Sequence, residues 1–211
     1  VKPLHMPYTT ATFRGKGGRT TVEVFWGMPL MPVAKALPKS ADTTVIECGF
    51  AVHDGEWREV HSELRSANIP LDRNKLSDDR LFTEFFKTGL SPGAYFLALH
   101  VQPQRTNLLG GHAQIALDIP DYSGSELLLS DIVFAREIRT AAEMGRFVKN
   151  DLLVVPNPTR HYRSKRPVHI YFEVYNLASD AGGASRFTIE YIIEKAGGKK
   201  KFLGLFGGGK S

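Results

Sequence analysis

Apolar and polar residues alternate along most of this chain. Ile46, Cys48, Phe50 and Val52 share one side of residues 43–52, and Tyr95, Leu97, Leu99 and Val101 share one side of 94–101. The same period of two groups Ile115, Leu117 and Ile119, then Val168, Ile170, Phe172 and Val174, then Phe187, Ile189, Tyr191 and Ile193. Successive side chains of a strand point to opposite faces, so each run predicts a strand with one face on a core. Residues 20–30 (TTVEVFWGMPL) are apolar on both sides and predict a more buried strand.

Turn formers punctuate these runs. In His53-Asp54-Gly55-Glu56 the Asp-Gly pair tolerates positive φ and predicts a hairpin. Ser91-Pro92-Gly93, Gly110-Gly111 and Gly182-Gly183 mark further breaks. Residues 72–86 can be read as a helix carrying Leu76, Phe82 and Phe86, with 81–87 equally readable as a strand. A short turn fits 141–146. Pro156-Asn157-Pro158 should end a strand over 152–155, since neither proline can donate to a ladder. Tyr95, after a Pro-Gly step, is expected at a buried corner with its hydroxyl bonded to backbone.

The fold class is therefore all-β, as two tandem immunoglobulin-like sandwiches. The first is expected over residues 1–121 and the second over 122–195, joined at DYSGS, residues 121–125. The second shows only four strand candidates (127–135, 152–155, 168–177 and 186–194), too few to close by itself. It is expected to be incomplete and to borrow a surface or strand. Residues 196–211 form a Gly/Lys-rich tail of low complexity.

Several segments resemble the C-terminal β-sandwich region of bacterial GWxTD-domain proteins. They are VEVFWGMPL (22–30), GLSPGAYFLALHV (89–101), LLLSDIVFAREI (127–138), and LLVVPNPTRHY (152–162) followed by PVHIYFEVYNL (167–177). The resemblance spans roughly residues 20–195. The Gly-Trp-x-Thr-Asp motif itself is absent, as are the later strands of a second sandwich. The resemblance implies tandem immunoglobulin-like domains in a secreted or envelope-associated bacterial protein, and it transfers no catalytic residue.

Charge and chemistry refine this picture. The formal net charge is +5, but residues 195–211 hold Lys195, Lys199, Lys200, Lys201 and Lys210 and no acid, so the remainder is balanced. That balance argues against a nucleic-acid partner, which calls for a basic face within the fold. The lone cysteine, Cys48, cannot form an intrachain disulfide and sits on an apolar face. It leaves the compartment open, so a periplasmic or extracellular location rests on the resemblance and a cytoplasmic one stays compatible. No apolar run is long enough for a membrane-spanning helix.

Residues 204–211 (GLFGGGKS) match the phosphate-loop pattern, but no helix can follow the terminal serine, so no nucleotide is expected. His169 and Glu173 share a strand face about 13 Å apart, too far for one metal ion. No paired-Cys or H-E-x-x-H motif is present, so no metal or other cofactor is expected. Asp78-Asp79, Asp118 and Asp121 read as turn formers or solvated charges. No nucleophile elbow occurs, and the chain is read as a non-enzyme.

Two segments remain as partner-binding candidates. Tyr171 and Tyr175 lie on the second face of the 168–176 strand, where they would dock a partner or a sugar, or cover the sheet against the first domain. Lys199, Lys200, Lys201, Phe202 and Phe206 combine charge with bulky apolar groups and suit a protein groove or an anionic membrane surface. The expected function is a structural or protein-interaction module of the bacterial envelope, an accessory subunit of a larger assembly. A carbohydrate-binding module and a hydrolase with a hidden site are the alternatives.

Overall fold

The computed structural model describes residues 3–77, 80–106 and 110–194 and the backbone of 208–210. Strands dominate: β1 (Tyr8–Arg14), β2 (Thr20–Pro29), β3 (Thr43–Asp54), β4 (Glu59–Pro70), β5 (Leu81–Leu90), β6 (Gly93–Pro103) and β7 (Gly111–Ile119) come first. They are followed by β8 (Leu128–Leu129), β9 (Val133–Thr140), β10 (Val148–Lys149), β11 (Leu152–Pro156) and β12 (His169–Tyr171). The last are β13 (Val174–Tyr175), β14 (Arg186–Thr188) and β15 (Gly208–Lys210). One α-helix, α1 (Leu30–Ala36), follows β2 directly. The expected all-β, sandwich-type architecture is present.

The described residues fall into two compact units, one within Val1–Gly124 and Ser130–Glu173, the other within Ser125–Leu129 and Val174–Ser211. This grouping differs from a linear division at 121–125, because residues 130–173 go with the first 124.

The first unit holds three antiparallel sheets, ordered β1-β2-β5, β4-β3-β6-β7 and β10-β11-β9-β12. One core gathers Val22, Val24, Trp26 and Met28 of β2 and Phe86 of β5 with Ile46, Cys48, Phe50, Val52, Leu97, Leu99 and Val101. A second core gathers Ala11, Phe13 and Phe25 with Val133, Ala135, Val154 and Tyr171. The β1-β2-β5 sheet thus lies between the other two. Val24 is 1% exposed and its neighbour Phe25 is 2% exposed, so consecutive side chains of β2 enter different cores. This accounts for the absence of polar alternation over residues 20–30. The apolar side of the β10-β11-β9-β12 sheet finds its cover on the outer side of β1 and β2.

The β3–β4 hairpin forms at the expected place. The residue that takes positive φ is Trp57 (φ 61), not the glycine. The Asp54 carboxylate wraps the turn by accepting from the backbone N–H of Glu56 (2.9 Å) and Arg58 (3.0 Å). The β10–β11 hairpin turns on Asn150 and Asp151, both left-handed (φ 45 and 63), as a two-residue loop with the twist of its strands requires. β11 ends at Pro156, as the proline pair dictates.

Other expectations are corrected. Over residues 72–86 the strand alternative holds from Leu81, preceded by a short 3-10 helix at Arg73–Lys75. Residues 168–176 split into β12 and β13, and 186–193 contribute only Arg186–Thr188. β12 also faces the opposite way to that expected. Tyr171 pairs with Val133 and is 7% exposed, whereas Val168 is 52% exposed. Both sides of the segment carry large apolar groups, so alternation alone could not choose between them; pairing with β9 does.

Tyr95 is half-buried, and among the described residues nothing bonds to its hydroxyl. Tyr122 takes the role expected of it. Tyr122 is 5% exposed, and its hydroxyl lies 2.8 Å from Thr12 Oγ1, which in turn donates to Asp131 at 2.7 Å. The Asp131 carboxylate also accepts from the Thr12 N–H at 2.8 Å. Burial pushes the Tyr122 phenol above its ordinary pKa. Tyr122→Phe should therefore cost about 1 kcal/mol and Tyr95→Phe less than about 0.5 kcal/mol, read from urea midpoints of the two variants. Equal costs would remove this assignment.

The second unit is small. β8 pairs with β13, and β14 pairs with β15. Asp180 closes a turn between β13 and β14 by accepting from the N–H groups of Gly182 and Ala184. Among the described residues no helix is long and apolar enough to cross a membrane.

Candidate functional site

The chain punctuation after β11 builds one wall of a cleft in the first unit. Pro156 cannot continue the ladder, and the next residue, Asn157, is 4% exposed and fully engaged. Its N–H donates to Phe134 O (2.8 Å), its Nδ2 donates to His161 O (3.0 Å), and its Oδ1 accepts from Thr159 Oγ1 (2.8 Å). Left-handed Arg160 (φ 53) and Lys165 (φ 65) turn the following chain. Tyr162 anchors it to β9 by donating to Ala135 O at 2.9 Å, and burial raises its pKa.

The facing wall is the connection from β4 to β5. Asp72 caps the 3-10 helix by accepting from Asn74 N–H (3.2 Å). Arg73 fastens it to α1 by donating to Ala34 O (2.7 Å) and Pro38 O (2.8 Å). Arg80 donates to Lys75 O at 3.1 Å. The cleft between these walls has a volume of about 1410 Å³ and reaches His5–Tyr8 and Pro29.

Its electrostatic character is one-sided. Lys75, Arg80, Arg136, Arg163 and Arg166 line it together with His5, His161 and His169, and among the described lining residues there is no carboxylate. Lys75 is held 2.9 Å from Asp72, just outside the lining, which also keeps the Asp72 carboxyl below its usual range. Pro7, Pro29, Leu81, Pro158 and Pro167 add apolar surface between the cations. Such a surface can hold carboxylates, phosphates or sulfates, with guanidinium groups giving paired donors to planar oxyanions. Asp78 and Asp79 lie outside the described residues.

A second cluster of charge is buried and structural. Glu23 on β2 is 2% exposed and meets Lys149 Nζ at 2.7 Å from Oε1 and 2.6 Å from Oε2. The ammonium also lies 3.9 Å from the Phe13 ring centroid. Burial lowers the Lys149 pKa, against the pull of Glu23. Glu84, equally buried, is bonded to Arg146.

The residues singled out from sequence fall elsewhere. Tyr171 is not an exposed docking group: its ring packs on Phe13 (centroids 6.1 Å apart) and its hydroxyl donates to Glu173 (2.7 Å). Tyr175 is half-buried on β13, opposite Leu128. Lys199, Lys200, Lys201, Phe202 and Phe206 lie outside the described residues. Gly208–Lys210, within the phosphate-loop match, is extended and paired with β14. Cys48 is 1% exposed, and burial raises its thiol pKa. Among the described residues no three His, Cys, Asp or Glu side chains are grouped closely enough for a metal ion.

Comparison with family models and with curated proteins returns no match. Among solved structures the chain is similar to an ApaA protein from Bordetella pertussis, with a TM-score of 0.34 and 13% identity over 57% of this chain and 98% of that one.

Proposed function

We propose that this chain is a non-enzymatic interaction module that receives an acidic segment of a partner protein in the cationic cleft. The observation that carries the reading is the convergence of Arg80, Arg136, Arg163 and Arg166 on one concavity without a described acid among them. The apolar prolines and Leu81 between the cations suit a polypeptide. The charge balance of residues 1–194 gives no wide basic field of the kind that recruits nucleic acid. The resemblance to GWxTD-domain proteins adds the bacterial envelope as the place of action, as an accessory subunit of a larger assembly.

A fluorescein-labelled poly-glutamate peptide should bind the full chain in a salt-dependent way, as followed by anisotropy. Reversal of Arg136, Arg163 and Arg166 to Glu should weaken it by roughly tenfold or more. Absence of binding at low salt would contradict the proposal. So would equal or tighter binding of an oligothymidylate competitor, which would make the cleft a nucleic-acid site.

A further inference from the structure

The outward face of the β4-β3-β6-β7 sheet carries a second concavity, of about 430 Å³ and different chemistry. Its position follows from the register. Ser62, Ala51, Ala98 and Gln114 lie side by side across the four strands, so two small residues form a floor between two polar neighbours. Two residues along, Gly49 replaces the floor alanine. A Cβ there would stand 2.6 Å from the His100 ring and 3.1 Å from Leu64, so these two side chains close that end over the glycine.

Beyond the other end of the groove the same face carries an aromatic pair. Phe96 stands two residues from Ala98 on the same face, about 7 Å away. The Trp57 indole lies flat on the Phe96 ring, with centroids 4.4 Å apart and planes 5° from parallel. Trp57 is 67% exposed: Phe96 covers one face of the indole, the tilted His53 ring lies 6.3 Å away, and most of the remaining surface meets solvent. The Asp54 turn holds the left-handed Trp57 backbone that presents it. A large aromatic residue held in this conformation and left in water is costly unless it serves contact.

We infer that this face binds a neutral oligosaccharide, with one pyranose ring stacked on Trp57 and the following unit over Ala51 and Ala98. The apolar C–H face of a sugar matches an open indole, and its hydroxyls match Ser62, Gln114 and the nearby imidazoles. The carboxylates bordering this face are engaged, Glu59 accepting from Ser62 Oγ at 2.7 Å and Glu47 lying 3.8 Å from His100 Nε2, while Glu63, opposite the core residue Phe50, belongs to the inner face with Arg65; the groove is left polar and without a cluster of cations. That character separates this groove from the cationic cleft, and the inference stands without the acidic-partner reading.

Chitohexaose, cellohexaose, xylohexaose and maltohexaose, each titrated into the full chain, provide the test, with heat and tryptophan emission followed together. The other tryptophan, Trp26, is fully buried, so an emission change reports Trp57. At least one probe should bind saturably and shift the emission. Trp57→Ala, and independently Ala98→Phe, should weaken it by roughly tenfold or more with an unchanged melting midpoint. No saturable heat from any probe at millimolar concentration would overturn the inference. So would binding that survives both variants, or self-association of the chain that Trp57→Ala abolishes.

Discussion

Replacing Lys149 with alanine should cost about 3–5 kcal/mol, because it leaves the Glu23 carboxylate buried without its closest counter-charge. Glu23 is 2% exposed on β2, and Lys149 reaches it from the β10–β11 hairpin. Lys87, 3.5 Å from Glu23 but 57% exposed, supplies a weaker second charge and should hold the loss toward the lower end. The double variant Glu23→Met/Lys149→Met should recover most of the stability, since an apolar pair of similar volume carries no desolvation cost. Urea unfolding of the three chains measures this, and a single-variant loss below about 1 kcal/mol would contradict burial of the pair.

The same pair gives a pH signature. Burial lowers the Lys149 pKa below the ordinary 10.5. Between the lowered value and 10.5 the unfolded chain binds the extra proton, so the lysine contributes stability that rises with pH across that window. Lys149→Met should remove that slope.

Trp26→Ala should cost about 3–5 kcal/mol by leaving a cavity at the centre of the larger core. Trp26 is 0% exposed and meets Phe82 edge-on, with ring centroids 5.8 Å apart. Its Nε1 has no hydrogen-bond partner among the described residues. Trp26→Phe should therefore cost much less than alanine, because it forfeits volume and no bond. Trp57→Ala should change stability by less than about 0.5 kcal/mol, since that indole is 67% exposed. Thermal melts of the three variants distinguish the two tryptophans; similar losses at both positions would contradict the assignment of Trp26 to the core.

The strands of the β4-β3-β6-β7 sheet were legible because residues such as Ile46, Cys48, Phe50 and Val52 alternate against a single core. The apolar run 20–30 announced burial on both sides, but a sequence does not say which elements cover the second side. That depends on pairing between residues more than a hundred positions apart, such as Thr12 with Asp131. The helix at Leu30–Ala36 was hidden by Pro29 and Pro32, neither of which reads as a helix signal without its place at the start of the turn. Tyr122 was passed over because DYSGS reads as a linker, although its ring is buried.

The cleft was missed for a different reason. Summed over 194 residues the charges cancel, yet Arg160, Arg163, Lys165 and Arg166 lie within seven positions that contain no acid. That local run was the available signal. Its convergence with Arg80 and Arg136 is tertiary. The Trp57–Phe96 stack depends likewise on the register that sets His53 beside Phe96.

Native-state hydrogen exchange resolved by residue tests the central claim, that the β1-β2-β5 sheet lies between two others. With both faces of β2 covered and both its edges paired, the amides of residues 22–28 should exchange only through global unfolding, and more slowly than those of the edge strand β7. Exchange of residues 22–28 as fast as that of Gly111–Ile119 would contradict the three-layer arrangement.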